Sequence, residues 1–563
     1  MNKIILVLIP LLLIFGNYAV IASSLYHEEM QHLNSSDDAF DMVIISPEIF
    51  EDTLQELIDH KNSYNFQTFL KTTEAIYAEY SGRDDPEKIK YFIKDAIETH
   101  NISYVLLVGG AAYLPSRYIH IYFDYDYQDY WEFLSDLYYA DIYDASGNFS
   151  SWDSNENDIF AEYQWYGNTD DLDLYPDVYL GRLACVSHIE LTTCINKIIT
   201  YENGQAWAQN WFMNIVTIGG DSLPGDAEQV DEGEFVNQGV IDNMDGFIPT
   251  RVWASNGLLY NADNINDAIN QGAGFVFFNG HGNLNIWATH PHESNQWIPI
   301  GSYSNSHVDS LTNQEMLPII VSDACYHSTY DVAADCFGWN FITNPNGGAI
   351  GFLGSTDIDV SHPGEAIITK GIEKLCIEMS HNYMNGDTTL GELWGHGITT
   401  YLDTAEMDEM DYITIEEFQL FGDPSLIIAS TSQKPFKPER PEGPSSGLIK
   451  TEYTYSSSTT DPDEDELYYL FDWDDNSSSE WIGPYASGET AQASHQWEKQ
   501  GEYNIRVKAR DIHGKISEWS DPLPINMPRN KKPDKLIIEK RLFFEHLSIL
   551  LRLIESNHHQ LSN

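Results

Sequence analysis

Apolar residues along this chain come mostly in short continuous runs, each broken off by Gly, Asn, Asp or Pro. MVIISP (42–47), YVLLVGG (104–110), DVYLGRL (177–183), MNIVTIGGD (213–221), FVFFN (275–279), PIIVS (318–322) and GAIGFL (348–353) have strand length and little polar alternation. That is the pattern of strands buried on both faces. Helical spacing occupies 48–61, DPEKIKYFIKDAIETH (85–100, with Pro86 near its first turn) and 188–204, while YNFQTFLKT adds another strand. Strand–helix alternation predicts a parallel sheet covered by helices, here as an α/β/α sandwich of two half-sheets, 41–205 and 206–430. Residues 118–175, rich in Tyr, Asp and Trp, read as a long insertion between elements of the first half.

Beyond a Pro/Ser/Gly-rich linker at 431–447 the period changes to two. YYLFDWDD, QASHQW and YNIRVKARD are short alternating strands separated by turn residues, and predict a small all-β sandwich over 448–527. The tail, 528–563, starts basic (RNKKPDK) and continues as LFFEHLSILLRLIE with helical spacing, which reads either as a segment that docks on a partner or a membrane surface or as a disordered remnant. At the other end, residues 1–22 place Lys3 before the apolar Ile4–Phe15 and end in Val20-x-Ala22. This predicts an export signal cut after Ala22, with an uncleaved anchor as the alternative, followed by a short loose segment at 23–40.

Composition narrows the partners. The 563 residues carry 87 acidic and 29 basic side chains, a formal net charge of −58, which argues against nucleic acid and anionic lipid as main partners. The five cysteines (Cys185, Cys194, Cys325, Cys336 and Cys376) are an odd number for an exported chain, so at least one thiol stays unpaired. In the insertion, WDSNENDIFAE sets Asp153, Asn155 and Asn157 at alternate positions with Glu162 following. That spacing resembles a structural calcium loop, although Asp158 stands where the sharp turn wants Gly. His290, His292, His307 and His327 lack the paired spacing of zinc sites, so no cofactor is expected for catalysis.

The candidate chemistry lies where two buried runs end. FVFFNGHGNLNIW (275–287) delivers His281 between glycines, and PIIVSDACYHSTYD (318–331) delivers Cys325, 44 positions later. In open α/β sheets the carboxyl edge is where reactive groups collect. A thiol and an imidazole from neighbouring strand ends suit attack on a carbonyl, and the amides of Gly282 and Cys325 suit the resulting oxyanion. On spacing alone, a core cysteine and a loop histidine of the same sheet remain the competing interpretation.

GHGNLNIW, LTNQEMLPIIVSDAC, NPNGGAIGFLGST and FGDPSL stand in the order found in the gingipain family of cysteine peptidases (family C25), which 41–430 resembles; PDVYLGRL and YVLLVGG look like that family too. The resemblance implies a caspase-like fold, His281 as base, Cys325 as nucleophile, and protein or peptide substrates cut by hydrolysis or transferred to an amine. It also implies a third, acidic residue that orients the histidine, here Asp221, with Asp226 and Asp323 as competitors. For substrate binding it points to Asp231 or Glu232 as a partner for a basic side chain, with Trp287 as a pocket wall. GSTDIDV lacks the aromatic lid expected over such a side chain, and 23–40 is short for the family's inhibitory pro-segment. The C-terminal sandwich resembles polycystic-kidney-disease-type (PKD) immunoglobulin-like domains, with FDWDDNSS where that family has a Trp-Gly-Asp-Gly turn; such modules space domains or attach proteins to surfaces.

Overall fold

Every residue of Met42–Ser46, Phe275–Asn279 and Ile319–Asp323 is buried, because these strands lie inside a sheet covered on both faces. The computed structural model describes residues 39–123, 129–225, 227, 229–333, 335–360, 362–429, 434–462, 465–512, 515–528, 546–549 and 552. The expected export signal, most of the 23–40 segment and most of the tail lie outside the described residues. Two units divide at residues 430–431. Among the described residues, no helix is long and apolar enough to cross a membrane.

The first unit is built on ten strands: β1 (Met42–Ser46), β2 (Thr68–Thr72), β3 (Tyr104–Val108), β4 (Tyr179–Leu183), β5 (Asn214–Gly219), β6 (Ile248–Trp253), β7 (Phe275–Asn279), β8 (Ile319–Asp323), β9 (Gly351–Ser355) and β10 (Phe418–Phe421). Their order across the sheet is β2-β1-β3-β4-β10-β9-β8-β7-β5-β6. Neighbours are parallel except β9 and β10, which pair antiparallel from Phe352↔Phe421 to Ser355↔Phe418. The sheet is therefore two parallel halves of opposite direction. The halves are not contiguous in sequence, because β10 returns from the end of the unit to lie parallel to β4 at Phe421↔Arg182.

The helices that cover the sheet start and stop where the sequence has capping groups. In α1 (Glu51–Ser63), α2 (Asp85–His100), α3 (His188–Asn203), α4 (Glu232–Asn243), α5 (Gly371–Asn385) and α6 (Leu390–Thr404) the clearest case is α2. There the Asp84 side chain accepts from the Glu87 amide, a proline sits in the first turn and left-handed Asn101 ends the helix. Lys61 of α1 ties three elements together in the interior. Its Nζ lies 2.6 Å from Glu202 of α3 and 2.8 Å from Asp423, just past β10, while His60 holds the other Glu202 oxygen at 2.7 Å.

The insertion forms a hairpin, Arg117–Phe123 against Asp129–Ser135, and a tight loop beyond it. The calcium loop expected at Asp153, Asn155, Asn157 and Glu162 is instead closed by donors from the protein itself. Asp153 pairs with the Arg83 guanidinium and accepts from the amides of Asn157 and Asp158, each at 3.0 Å. Glu162 accepts from the side chains of Asn155 and Asn157, each at 2.7 Å. Arg83, far upstream in sequence, supplies the positive charge that the local spacing seemed to reserve for an ion.

The second unit is a small sandwich. One sheet pairs 452–457 with 491–496, and the other orders its strands 482–485, 467–472, 501–511, 523–527. Trp473 and Trp497 are buried between them with Tyr455, Phe471 and Val507. At the FDWDDNSS turn, Asp474 (φ 58°) and Asn476 (φ 66°) are left-handed, the conformation the related domains meet with glycine and one that Asp and Asn tolerate best among the rest.

Candidate active site

Strand register brings His281 and Cys325 to equivalent positions. β7 and β8 run parallel with Asn279 opposite Asp323, and each candidate residue lies two positions beyond that pair. The 44-residue offset between them is thus the offset of the strand pairing itself. The Gly280 amide continues the ladder by donating to the Asp323 carbonyl at 3.1 Å. Gly282 is required by what comes next. A Cβ there would stand 2.3 Å from the Cys325 carbonyl oxygen and 2.7 Å from His327 Nε2, so only a bare backbone passes this close to the nucleophile turn.

His327 braces that turn. It is fully buried, with Nδ1 2.7 Å from Ser322 Oγ, Nε2 3.1 Å from the Ile286 carbonyl, and its ring stacked 4.1 Å from Phe337. Burial pushes its pKa down to about 3, so the ring stays neutral and joins the 281–289 hairpin to the cysteine loop. The next brace is Tyr326, left-handed at φ 63°, whose amide donates to the Asp357 carbonyl at 2.7 Å.

His281 is half-buried, and its Nε2 lies 2.6 Å from the carbonyl oxygen of Ser222. A carbonyl only accepts, so Nε2 carries the proton and Nδ1 of the neutral ring is left as the basic atom. Burial lowers the pKa of the ring. The carboxylate expected in this orienting role, that of Asp221, is elsewhere: it is buried, with Oδ2 accepting from the Glu293 amide at 2.8 Å and Oδ1 unpartnered. The chain turns after β5 so that Asp221 bridges to His290 and the next carbonyl reaches the imidazole. Burial, with Glu232 and Asp231 nearby, raises the Asp221 carboxyl to about 6.

Glu232 is not available to a substrate, being fully buried at the start of α4. Its Oε2 accepts from the amides of Ser222 (3.1 Å) and Leu223 (3.2 Å), and its Oε1 from that of Gly364 (3.1 Å). One carboxylate thereby holds both the turn that orients His281 and the loop after β9. Asp231 is more open, and its Oδ1 lies 2.8 Å from His292 Nδ1.

All five cysteines are free thiols, and Cys325 is the one that is not buried. Its S–H points to the Asp359 carbonyl at 3.7 Å. Burial of the sulfur, then the charges of Asp359 and Glu417, push its pKa up to about 12. The resting pair is thus a thiol and a neutral imidazole rather than an ion pair. Asp323 lies close by with Asp359 and Glu373, their carboxylate oxygens within 4.8 Å of one another; burial and mutual repulsion hold Asp323 well above the usual carboxylate range. Asp221, Asp231 and His292 form a second group of the same span. Only the first group is all oxygen, the donor type a hard cation takes; the second includes an imidazole. Asp226 lies outside the described residues.

Trp287 does not wall a pocket. It is fully buried with its ring 5.4 Å from Phe278, as a residue of the short strand 286–289 that packs inward. The tryptophan beside the site is Trp297, 52% exposed, edge-on to the His281 ring at 5.3 Å and tilted against His290 at 3.9 Å. Ser222 and Trp297 are the residues that sequence patterns missed, while Glu232, expected to meet the substrate, instead braces the turn that orients His281. Only Trp297 left a trace, as an aromatic in the polar run HESNQW shortly after the catalytic hairpin.

The model of Peptidase family C25 matches residues 35–429. Gingipain R2 of Porphyromonas gingivalis (strain ATCC BAA-308 / W83) is 23% identical over 394 residues, 69% of this chain and 46% of its own length. Lys-gingipain of strain ATCC 33277 is 23% identical over 192 residues, 34% of this chain and 10% of its own. The chain thus spans about half the length of the gingipain R2 it matches, and less of the others. Among solved structures, the Arg specific cysteine proteinase gingipain R superposes with a TM-score of 0.51 at 17% identity, over 88% of this chain and 99% of that one, which shows the expected α/β fold. The PKD domain of an M14-like peptidase from Thermoplasmatales archaeon SCGC AB-540-F20 is 44% identical over 17% of this chain and 99% of its own, with a TM-score of 0.17.

Proposed function

The chain belongs to peptidase family C25, and from that premise we propose that it is an exported cysteine endopeptidase acting through Cys325 and His281. The observation that carries this reading is the strand register, which puts the single partly exposed thiol and a carbonyl-oriented imidazole at matched positions of neighbouring strands.

His281 Nδ1 takes the thiol proton as Cys325 Sγ attacks the scissile carbonyl carbon. The carbonyl oxygen becomes an oxyanion, which the amides of Gly282 and Cys325 stabilise. His281 then gives its proton to the leaving amine, the C–N bond breaks, and a thioacyl-enzyme remains. Water, deprotonated by the same Nδ1, releases the acid and restores the thiol. Throughout, the Ser222 carbonyl keeps the ring in the tautomer that can do this and supports its transient positive charge. Asp231, whose Oδ1 meets His292, is the candidate for holding the substrate side chain at the cleaved bond.

A peptidyl acyloxymethyl-ketone probe tests the assignment. Labelling of the wild-type chain that is abolished in Cys325→Ala and in His281→Ala is the expected result, and a wild-type chain that never labels overturns it. Product masses with an added amine then tell hydrolysis from transfer, since transfer leaves the amine on the new carboxyl end.

A further inference from the structure

A cavity of about 360 Å3 reaches the nucleophile loop at Tyr326, across β7 from the strand that Asp221 follows. Its walls come from three elements, through side chains that do no chemistry in the scheme above. Tyr118 and Glu132 belong to the hairpin of the insertion, Asn283 stands two residues past His281, and Tyr326, Asp331 and Asp357 come from the loops after β8 and β9. The placement follows from the sheet order: β8 and β9 lie on one side of β7, and β5, which carries Asp221, lies on the other. The hairpin is fastened to this rim, because Thr356 Oγ1 donates to the Leu134 carbonyl at 2.7 Å and Tyr118 donates to Asp331 Oδ2 at 2.8 Å.

The lining is of one sign. Glu132, Asp331 and Asp357 bring three carboxylates to a space that holds one long side chain, with the hydroxyls of Tyr118 and Tyr326 on Asp331 and Asp357. Two tyrosine rings flank the same space. Carboxylates at the wall and aromatic faces along it match a flexible aliphatic stem ending in a cation. Tyr326 directly follows Cys325 in the chain, so a side chain seated here belongs to a residue near the bond being cut.

We propose that this cavity is a second specificity subsite, which takes a lysine or arginine side chain of the substrate at a position other than the one held beside Asp231. The proposal rests on the peptidase reading for its substrate and adds that recognition extends to both sides of the dyad. The insertion, which contributes no catalytic group, then has a role as the outer wall of the substrate groove.

The test uses fluorescein-labelled peptides in which each residue flanking the scissile bond is in turn lysine, norleucine or glutamate, with the preferred residue kept at the cleaved position. Turnover by the wild-type chain and equilibrium binding to Cys325→Ala are read separately. One flanking position favours lysine over norleucine by about ten- to a hundredfold in both readouts, the range of a charge-assisted hydrogen bond. In Glu132→Gln/Asp331→Asn that ratio falls below about threefold. Glu132→Lys, at an exposed hairpin position where folding is not at stake, moves the preference toward glutamate. The subsite is overturned if no flanking position separates lysine from norleucine, or if the preference survives the substitutions. Binding preference without any turnover overturns the peptidase reading and leaves the subsite standing, so the two failures are distinguishable.

Discussion

Gly282→Ala is the sharpest test of the site, because its effect follows from one close approach. The added Cβ meets the Cys325 carbonyl oxygen at 2.3 Å and the His327 ring at 2.7 Å and 2.9 Å, where ordinary contact begins near 3.4 Å. The first obstacle is backbone and the second is a ring pinned by Ser322 and Ile286, so neither yields as a free side chain would. The two loops must part by about 1 Å, and misplacement of that size costs on the order of 100-fold in rate, or about 2.7 kcal/mol of barrier. Global stability falls by roughly 1–3 kcal/mol of overpacking, a small shift in the melt of a unit this large. The assay pairs the second-order labelling rate of Cys325 by the acyloxymethyl-ketone probe with a thermal melt. A variant that melts close to wild type but labels at least about 30-fold more slowly agrees with the geometry. Labelling within threefold of wild type would mean that the tight approach of the two strand ends has no bearing on catalysis.

The thiol pKa of about 12 implies that at pH 8 only about one sulfur in ten thousand is thiolate. Iodoacetamide labelling of the free enzyme should therefore climb about tenfold per pH unit from pH 7 to 9, and a plateau beginning below pH 7 would reveal an ion pair instead. For substrate turnover the lowered pKa of His281 puts the acid limb of kcat/KM below the usual imidazole value near pH 6.5, since the base is lost only when the ring takes a proton. Glu232→Ala frees the turn that carries the Ser222 carbonyl and should cut kcat about ten- to a hundredfold, with partial rescue by Glu232→Gln; unchanged kcat would remove it as a positioning residue. Lys61→Met leaves Glu202 and Asp423 without their buried cation and should cost about 3–5 kcal/mol in urea unfolding, whereas a loss under about 1 kcal/mol contradicts the reading of that network.

The parts of this protein legible in its sequence are those written in side-chain pattern. Apolar runs marked the interior strands because a strand covered on both faces has no polar side to show, and the His281–Cys325 spacing survived as a strand offset. β6 was passed over because it is an edge strand, with alternating exposure along IPTRVW and a proline inside it. The joining of β10 to the first half-sheet left no mark, since topology is set by long-range pairing rather than by local composition. The orienting group of His281 was also illegible. A backbone carbonyl has no residue code, and the acidic side chain one residue before it, Asp221, bonds to the Glu293 amide instead. At Asp153 the local spacing was real but its cation was an arginine from α2's approach, 70 positions upstream. Trp287 lies inward because its strand is buried continuously from Trp287 to Thr289, and the exposed tryptophan beside His281 is Trp297.

The strand that joins the halves is also the last of the sheet to be made. At about 5–20 residues per second, a ribosome releases His281 and Cys325 well before Phe418–Phe421, and long-range pairings of this kind form slowly. A nascent chain can carry both reactive groups on one half-sheet while the other half stands apart, with Lys61 still lacking Asp423. Synthesis past Phe421 therefore sets the earliest point at which the two half-sheets can join around the thiol.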